Sequence, residues 1–360
     1  MGISQKRMSR RGWLGLSLMM GLTGMDTVQG QFKTTQKPED GKSSKKTPSQ
    51  TSKRPSANAS SSDDPSLERT TLGTGPRYGE AKTQKWRFGI SMKAKSTATT
   101  KMYGYIPVPQ GWSEQVITDE QEDFSPDIRV TFEELSGVRV MVVQFAALRP
   151  GQEAKAILTC EIKTQPILAP EDTGGYRIPP RLDKEMQQYL RPTPKIMMSA
   201  KVRAIPKDVG YSKTGTTWTE LRKIYDYIAK TYQFDKSCGI YDTDQVLRGK
   251  RGNAFGINGL FVAVCRSLGI PARIVWTLPS SCHCEFYLED GESHGFWFPT
   301  DLTQRGMFGK RESTGPIFQR GDSFQPPWDR AQRLHMLNES IRAGAVGEKP
   351  EHKYIREPAM

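Results

Sequence analysis

The sequence lacks the features of a membrane-spanning or nucleic-acid-binding protein. Its apolar run at residues 14–25 is shorter than the roughly 20 residues that span a bilayer. The net charge of +13 favours an anionic partner, but residues 1–56 hold 11 Lys or Arg against 3 acids and so carry +8 of it. The remaining +5 is not concentrated in a basic helix or an aromatic-rich strand. These features argue against nucleic-acid binding.

Cysteine is also scarce, with 5 in 360 residues. The run "CHC" at residues 282–284 has the residue types of a zinc site. Neighbouring residues of a strand point to opposite faces, however, and no second pair stands at metal-ligand spacing. We therefore expect no metal and no other cofactor.

Residues 1–30 have the three parts of a secretory signal peptide: a basic head, a short apolar core and small residues before a cleavage point. The segment "SRRGWLG" also resembles a twin-arginine signal, so the export route stays open. Residues 31–75 are mostly Ser, Thr, Lys and Pro, which predicts a disordered linker. We expect an exported protein, in the periplasm, at the cell surface or outside the cell, whose basic linker can contact an anionic envelope.

Residues 76–173 show the alternation of β-strands, with apolar and polar side chains on opposite faces. One apolar set is Trp86, Phe88, Ile90 and Met92, and another is Ala154, Ala156, Leu158, Cys160 and Ile162. No polar cluster in this region suits chemistry. We predict an antiparallel β-sandwich with a scaffolding role.

The second half predicts an α+β domain at residues 216–309, after a connection at 174–215. Thr217 and Glu220 fit the capping box of a first helix, and a second apolar stripe runs from Ile257 to Leu268. Three strands follow, the last of which ends at Asp301. Residues 310–360 form a C-terminal extension, in which we expect a short helix after a Pro-rich turn.

The run "RGNAFGINGLFVAVCRSLGIPAR" at 251–273, followed by "CHCEFY" and "FWFPTD", resembles the transglutaminase-like superfamily of cysteine acyltransferases and peptidases. The resemblance implies a papain-like core behind the β-sandwich. In that family a Cys begins the helix, the next strand brings a His and the following strand an Asp. The thiol attacks an amide carbonyl, the His takes its proton, and the Asp orients the His.

Aligned without gaps, the nucleophile position of the family falls on Ala254. The base position falls on Ser281, with His283 two residues further along the same strand face, and the acid position falls on Asp301. A methyl group cannot attack a carbonyl, so the triad has lost its first member and has displaced or lost its second. We expect His283 and Asp301 to be an ordinary exposed pair at the strand ends.

No other cysteine is an evident replacement for the nucleophile. Cys265 lies about three turns along the same helix, and Cys282 and Cys284 face away from His283. Cys160 falls in the predicted sandwich core, and Cys238 lies in a loop without a pattern. The sequence therefore favours an inactive member, a pseudoenzyme, that binds a protein or peptide in its remnant cleft. Residual acyltransferase or peptidase activity through a displaced triad is the alternative.

A remnant cleft would lie near Asp301, and two tryptophans are candidates to line it. Trp276 and Trp297 fall on the predicted strands that flank this site. Residues of this type are more often part of the core than of a ligand site.

Overall fold

The computed structural model describes residues 75–343 and 349–359. The predicted signal peptide and almost all of the predicted linker lie outside the described residues. Within them, no helix is long and apolar enough to cross a membrane.

The strands of the first half are β1 (Arg77–Tyr78), β2 (Lys82–Lys93), β3 (Thr99–Pro107), β4 (Gln115–Phe124), β5 (Ile128–Leu135), β6 (Val138–Leu148), β7 (Glu153–Thr164) and β8 (Ile167–Leu168). The second half contains a 3-10 helix (Met186–Leu190), α1 (Ala200–Asp208), α2 (Thr217–Thr231), β9 (Gln233–Phe234), α3 (Thr243–Gly249), β10 (Arg251–Gly252), α4 (Ala254–Ser267), β11 (Ala272–Thr277), β12 (Ser281–Glu289), β13 (Gly295–Asp301), β14 (Met307–Phe308), β15 (Ile317–Arg320), β16 (Ser340–Ala343) and β17 (Glu351–Pro358).

The predicted β-sandwich is present as two four-stranded antiparallel sheets, in the orders β16-β3-β6-β5 and β17-β2-β7-β4. Both predicted apolar sets are buried in its core. The alternation predicted these strands correctly because each sheet packs one face against the other, so every second side chain is buried.

The C-terminal extension supplies one strand to each of these sheets, since β16 pairs with β3 and β17 pairs with β2. The expectation of a short helix in this extension was wrong. Residues 324–339 contain no helix, and Phe324 and Leu337 are buried against valines of β6. Packing of Phe324 and Leu337 on the sandwich therefore overrides the local helical pattern.

The helices of the second half surround α4, which is buried on all sides from Phe255 to Arg266 instead of along one stripe. Helix α1, inside the predicted connection, adds Val202 and Ile205 to the same core. The capping box predicted for α2 is also wrong. The N-cap is Thr216, and the Glu220 carboxylate instead accepts from the Ser212 backbone N–H at 2.9 Å.

One five-stranded antiparallel sheet, in the order β14-β13-β12-β11-β15, packs against α4. Its edge strand β15 also enters the sandwich core, where Phe318 stacks on Phe88 with ring centroids 6.0 Å apart. The Gln115 side chain accepts from the Ile317 N–H and donates to the Ile317 carbonyl, at 2.6 and 2.8 Å. The sandwich and this sheet are therefore joined by shared apolar packing and by buried hydrogen bonds.

Candidate active site with an alanine at the helix start

The first residue of α4 is Ala254. The Asn253 side chain caps the helix by accepting from the Gly256 N–H at 3.0 Å. The free N–H groups at such a helix start carry partial positive charge, which stabilises an anion such as a thiolate. The local backbone thus has the form that activates a nucleophile, but the half-buried side chain on it is a methyl group.

Aromatic rings pack directly beside this helix start. Phe255 stacks on Trp276 with centroids 5.4 Å apart, and the His335 ring lies 5.3 Å from the Phe255 ring. Trp276 is buried and its indole N–H donates to the Gly321 carbonyl. Trp276 therefore belongs to the core.

The base and acid positions lie on adjacent strands. Cys284 pairs with Thr300 across β12 and β13, so His283 and Asp301 follow at the next position of each strand. Ser281 is exposed, whereas His283 is only 5% exposed. The expectation of an exposed His283–Asp301 pair was therefore wrong, since His283 is buried and Asp301 is half-buried. The loop that follows β14 carries Arg311, whose positive charge acts on His283.

The Asp301 carboxylate is occupied by other partners. Its Oδ1 accepts from the backbone N–H and the hydroxyl of Thr303 at 2.9 and 2.8 Å, and its Oδ2 accepts from Gln304 at 3.4 Å. None of the hydrogen bonds among the described residues joins it to His283. The carboxylate therefore shapes its own turn and does not orient the imidazole.

Asn258 connects α4 to this strand end and is fully buried. Its amide nitrogen donates to the Cys282 carbonyl at 3.2 Å and to Asp301 Oδ1 at 3.3 Å. Its amide oxygen accepts from the Leu302 N–H at 3.0 Å. This side chain fixes the acid position relative to the helix, and our sequence reasoning missed it.

His283 faces a cluster of buried charges. Burial, followed by the positive charge of Arg311, lowers the pKa of His283 to about 3. Its Nε2 is buried and has no hydrogen-bond partner among the described residues. The imidazole is therefore neutral at neutral pH, and it is enclosed away from the helix that carries Ala254.

The charged cluster joins the sandwich to the sheet. The Glu285 carboxylate accepts from Arg273 Nε at 2.8 Å and lies 3.2 Å from Arg320, which also pairs with Glu114 of the sandwich. Burial raises the pKa of Glu285, but Arg320 and Arg273 outweigh it and hold that pKa at about 2. The Arg273 guanidinium also lies 3.8 Å above the Trp297 ring, so Trp297 packs against this charged cluster.

A cavity of about 170 Å³ opens between the strand ends and the loop after β14. Its lining includes Ser281, His283, Asp301 and Arg311, but not Ala254. The structure thus brings the base and acid positions together at one cavity, while the nucleophile position lies outside its lining.

The five cysteines are all buried free thiols. Burial raises the pKa of Cys160 to about 12, and it also raises the pKa values of Cys265, Cys282 and Cys284. Cys282 and Cys284 pack in the core beside α4, on the face opposite His283. A high pKa keeps a thiol protonated and therefore unreactive.

Comparison with known proteins agrees with this architecture. Residues 203–302 match the family described as "Transglutaminase-like superfamily". A solved structure of a protein from Cytophaga hutchinsonii, described as a candidate cysteine protease, superposes with a TM-score of 0.51 at 16% identity. The superposition covers 78% of this chain and 92% of that one, and it supports the fold.

A curated relative is an uncharacterized protein of Haemophilus influenzae, 24% identical over 180 residues. The match covers 48% of this chain and 48% of the relative. This chain therefore spans about half the length of the relative it matches.

Proposed function

The chain carries a transglutaminase-like domain, and we propose that it is an exported member that has lost catalysis and binds a protein or peptide in its remnant cleft. The observation that carries the proposal is Ala254 at the start of α4. Acyl transfer in this family needs a nucleophile at the helix start, and an alanine side chain has no lone pair to offer.

The surroundings of the missing nucleophile support the same proposal. The displaced His283 is a buried neutral imidazole, and Asp301 is bound by Thr303 and Asn258. A general base must reach the proton that it removes, so neither group suits that task as placed. Cys282 is not an evident substitute, because it packs in the core on the sheet face opposite His283.

A cavity nevertheless persists at the strand ends, with the exposed Ser281 in its lining. Members of this family act on the amide bonds of proteins and peptides, so a cavity at the base and acid positions of that family's site is suited to that class of ligand. The rival proposal, a residual acyltransferase or peptidase, requires a reactive thiol near this cavity. Cys282 is the cysteine in its lining, and burial raises the pKa of that thiol.

A peptide array probed with the purified chain tests the binding role. We expect a subset of peptides to bind, and Ser281→Trp to weaken their binding at least tenfold by filling the cavity. Because Ser281 is exposed, this change leaves the core intact. Thr131→Trp, on an exposed position of β5, is the matched control and should bind as the parent does. Absence of binding, or equal binding by Ser281→Trp, contradicts the proposal.

A further inference from the structure

The same cavity holds a buried positive charge without a counter-ion. Arg311 is 5% exposed and lines the cavity. Its Nη2 donates to the Gly315 carbonyl, but its Nη1 is buried without a hydrogen-bond partner. Among the described residues, no Asp or Glu oxygen lies within ion-pair distance of it. A guanidinium stays protonated in proteins, so this residue brings a full charge to the cavity.

The neighbouring charges do not neutralise Arg311. Glu285 is shared between Arg273 and Arg320, and Arg320 also holds Glu114. With His283 neutral, the buried cluster contains three guanidiniums and two carboxylates. Lys310, Glu312 and Asp301 also line the cavity, but Lys310 pairs with Glu312 and Asp301 accepts from Thr303, so neither carboxylate is an ion-pair partner of Arg311. Buried charges are costly unless they are paired, so the unpaired guanidinium of Arg311 at the cavity wall favours an anion beside it.

A second donor belongs to the same cavity. His283 also lines it, and the unpartnered Nε2 of a neutral imidazole can donate when it carries the proton. The backbone of Arg311 is anchored by two hydrogen bonds with Ile167, so its side chain starts from a fixed position. Two unpartnered donors in the lining of one small cavity suit a carboxylate, because each of its two oxygens can accept a hydrogen bond.

The size and charge of the cavity limit the anion. A volume of about 170 Å³ is close to that of a cavity that holds one benzene-sized group. Asp301 and Glu312 also line it, and their carboxylates repel a dianion such as phosphate.

We infer that this cavity is a subsite for a single carboxylate, held by Arg311 and His283, of the peptide whose binding is proposed above. The inference rests on that proposed function for its ligand class. Both a free C-terminal carboxylate and an Asp or Glu side chain supply this group, and the two sources are separated by experiment.

A titration followed by the ring signals of the four histidines tests the subsite. The probe is N-acetylglycine, and the signal of His283 is identified by its loss in His283→Gln. We expect N-acetylglycine to shift this signal and to bind at least tenfold more tightly than N-acetylglycinamide, which lacks the charge. Equal binding of the two probes, no binding of either, or tighter binding of inorganic phosphate overturns the inference.

Variants separate the charge from general effects on folding. Arg311→Met should weaken the binding of N-acetylglycine at least tenfold, and Arg311→Lys should retain part of that affinity. Arg356→Met, on β17 and paired with Glu339, is the matched control and should leave binding unchanged. If Arg311→Met fails to fold, the comparison of the two probes on the unmodified protein still decides the question.

Peptides then distinguish the source of the carboxylate and separate this inference from the proposed function. Loss of binding on amidation of the C terminus identifies the chain end, and loss on Glu-to-Gln exchange within the peptide identifies a side chain. If peptides bind regardless of both changes, the peptide-binding function stands and the carboxylate subsite falls. If N-acetylglycine binds and no peptide does, the subsite stands and the peptide-binding function falls.

Discussion

Removing the charge of Glu285 should strongly destabilise the protein. Glu285 is buried and is contacted by Arg273 at 2.8 Å and by Arg320 at 3.2 Å. Glu285→Gln keeps the shape of the side chain but leaves Arg273 without its carboxylate and Arg320 with Glu114 alone. Breaking a buried ion pair by removing one partner costs about 3–5 kcal/mol, because a desolvated charge is left without compensation.

Urea unfolding measures this cost as the change in the free energy of unfolding. The comparison is valid when the parent and the variant show the same slope of that free energy against urea concentration. Glu357→Gln is the matched control, since Glu357 pairs with Arg87 across 3.3 Å while 45% of its side chain is exposed. We expect Glu357→Gln to lower the free energy of unfolding by about 0–1 kcal/mol, as is usual for an exposed ion pair. If Glu285→Gln costs no more than the control, the buried cluster does not hold the sandwich and the sheet together as we argue.

Three further predictions concern the helix start, the buried histidine and export. Ala254→Cys should give a thiol that is alkylated faster than the five buried native thiols, because a helix start lowers a thiol pKa from roughly 8.5. A thiol that is inert in the folded protein refutes an accessible helix start. Because the pKa of His283 is lowered to about 3, the unfolded chain binds more protons below pH 6.5, and stability is lost as the pH falls from there toward 3. Between pH 7 and pH 5 the parent should lose about 2 kcal/mol more of its unfolding free energy than His283→Gln does, and equal losses refute the shift. Mass spectrometry of the protein from the envelope fraction should show a start near Gln31, and an intact N terminus contradicts export.

The elements could be predicted from the sequence wherever the pattern is local. The strands of the sandwich follow the period-two alternation that begins at Trp86, and the apolar stripe from Ile257 to Leu268 falls on α4 and its C-cap. The pairing of β17 with β2 joins residues more than 250 positions apart. No local pattern in either strand indicates which strand it pairs with.

The site could be predicted only in part, because some of its features follow from local patterns and others from contacts between distant segments. The alignment placed Ala254 at the helix start because the helix signals around it are local. The low pKa of His283 depends on its burial and on the charges of Arg311 and Arg320, which come from segments distant in the sequence. Asn258 did carry a usable signal, since it is an amide within an otherwise apolar helix and therefore needs buried partners.

We propose above that the domain at residues 203–302, which matches the transglutaminase-like superfamily, has no working nucleophile, and an amide-transfer assay tests this proposal most directly. The purified chain is incubated with Gln-containing peptides, with and without an amine acceptor, before and after alkylation of its cysteines under native conditions. Ammonia release and peptide mass report transfer and hydrolysis. We predict no thiol-dependent turnover, because Ala254 stands where the thiolate is required. Turnover that disappears on alkylation contradicts it and assigns the chemistry to one of the native cysteines.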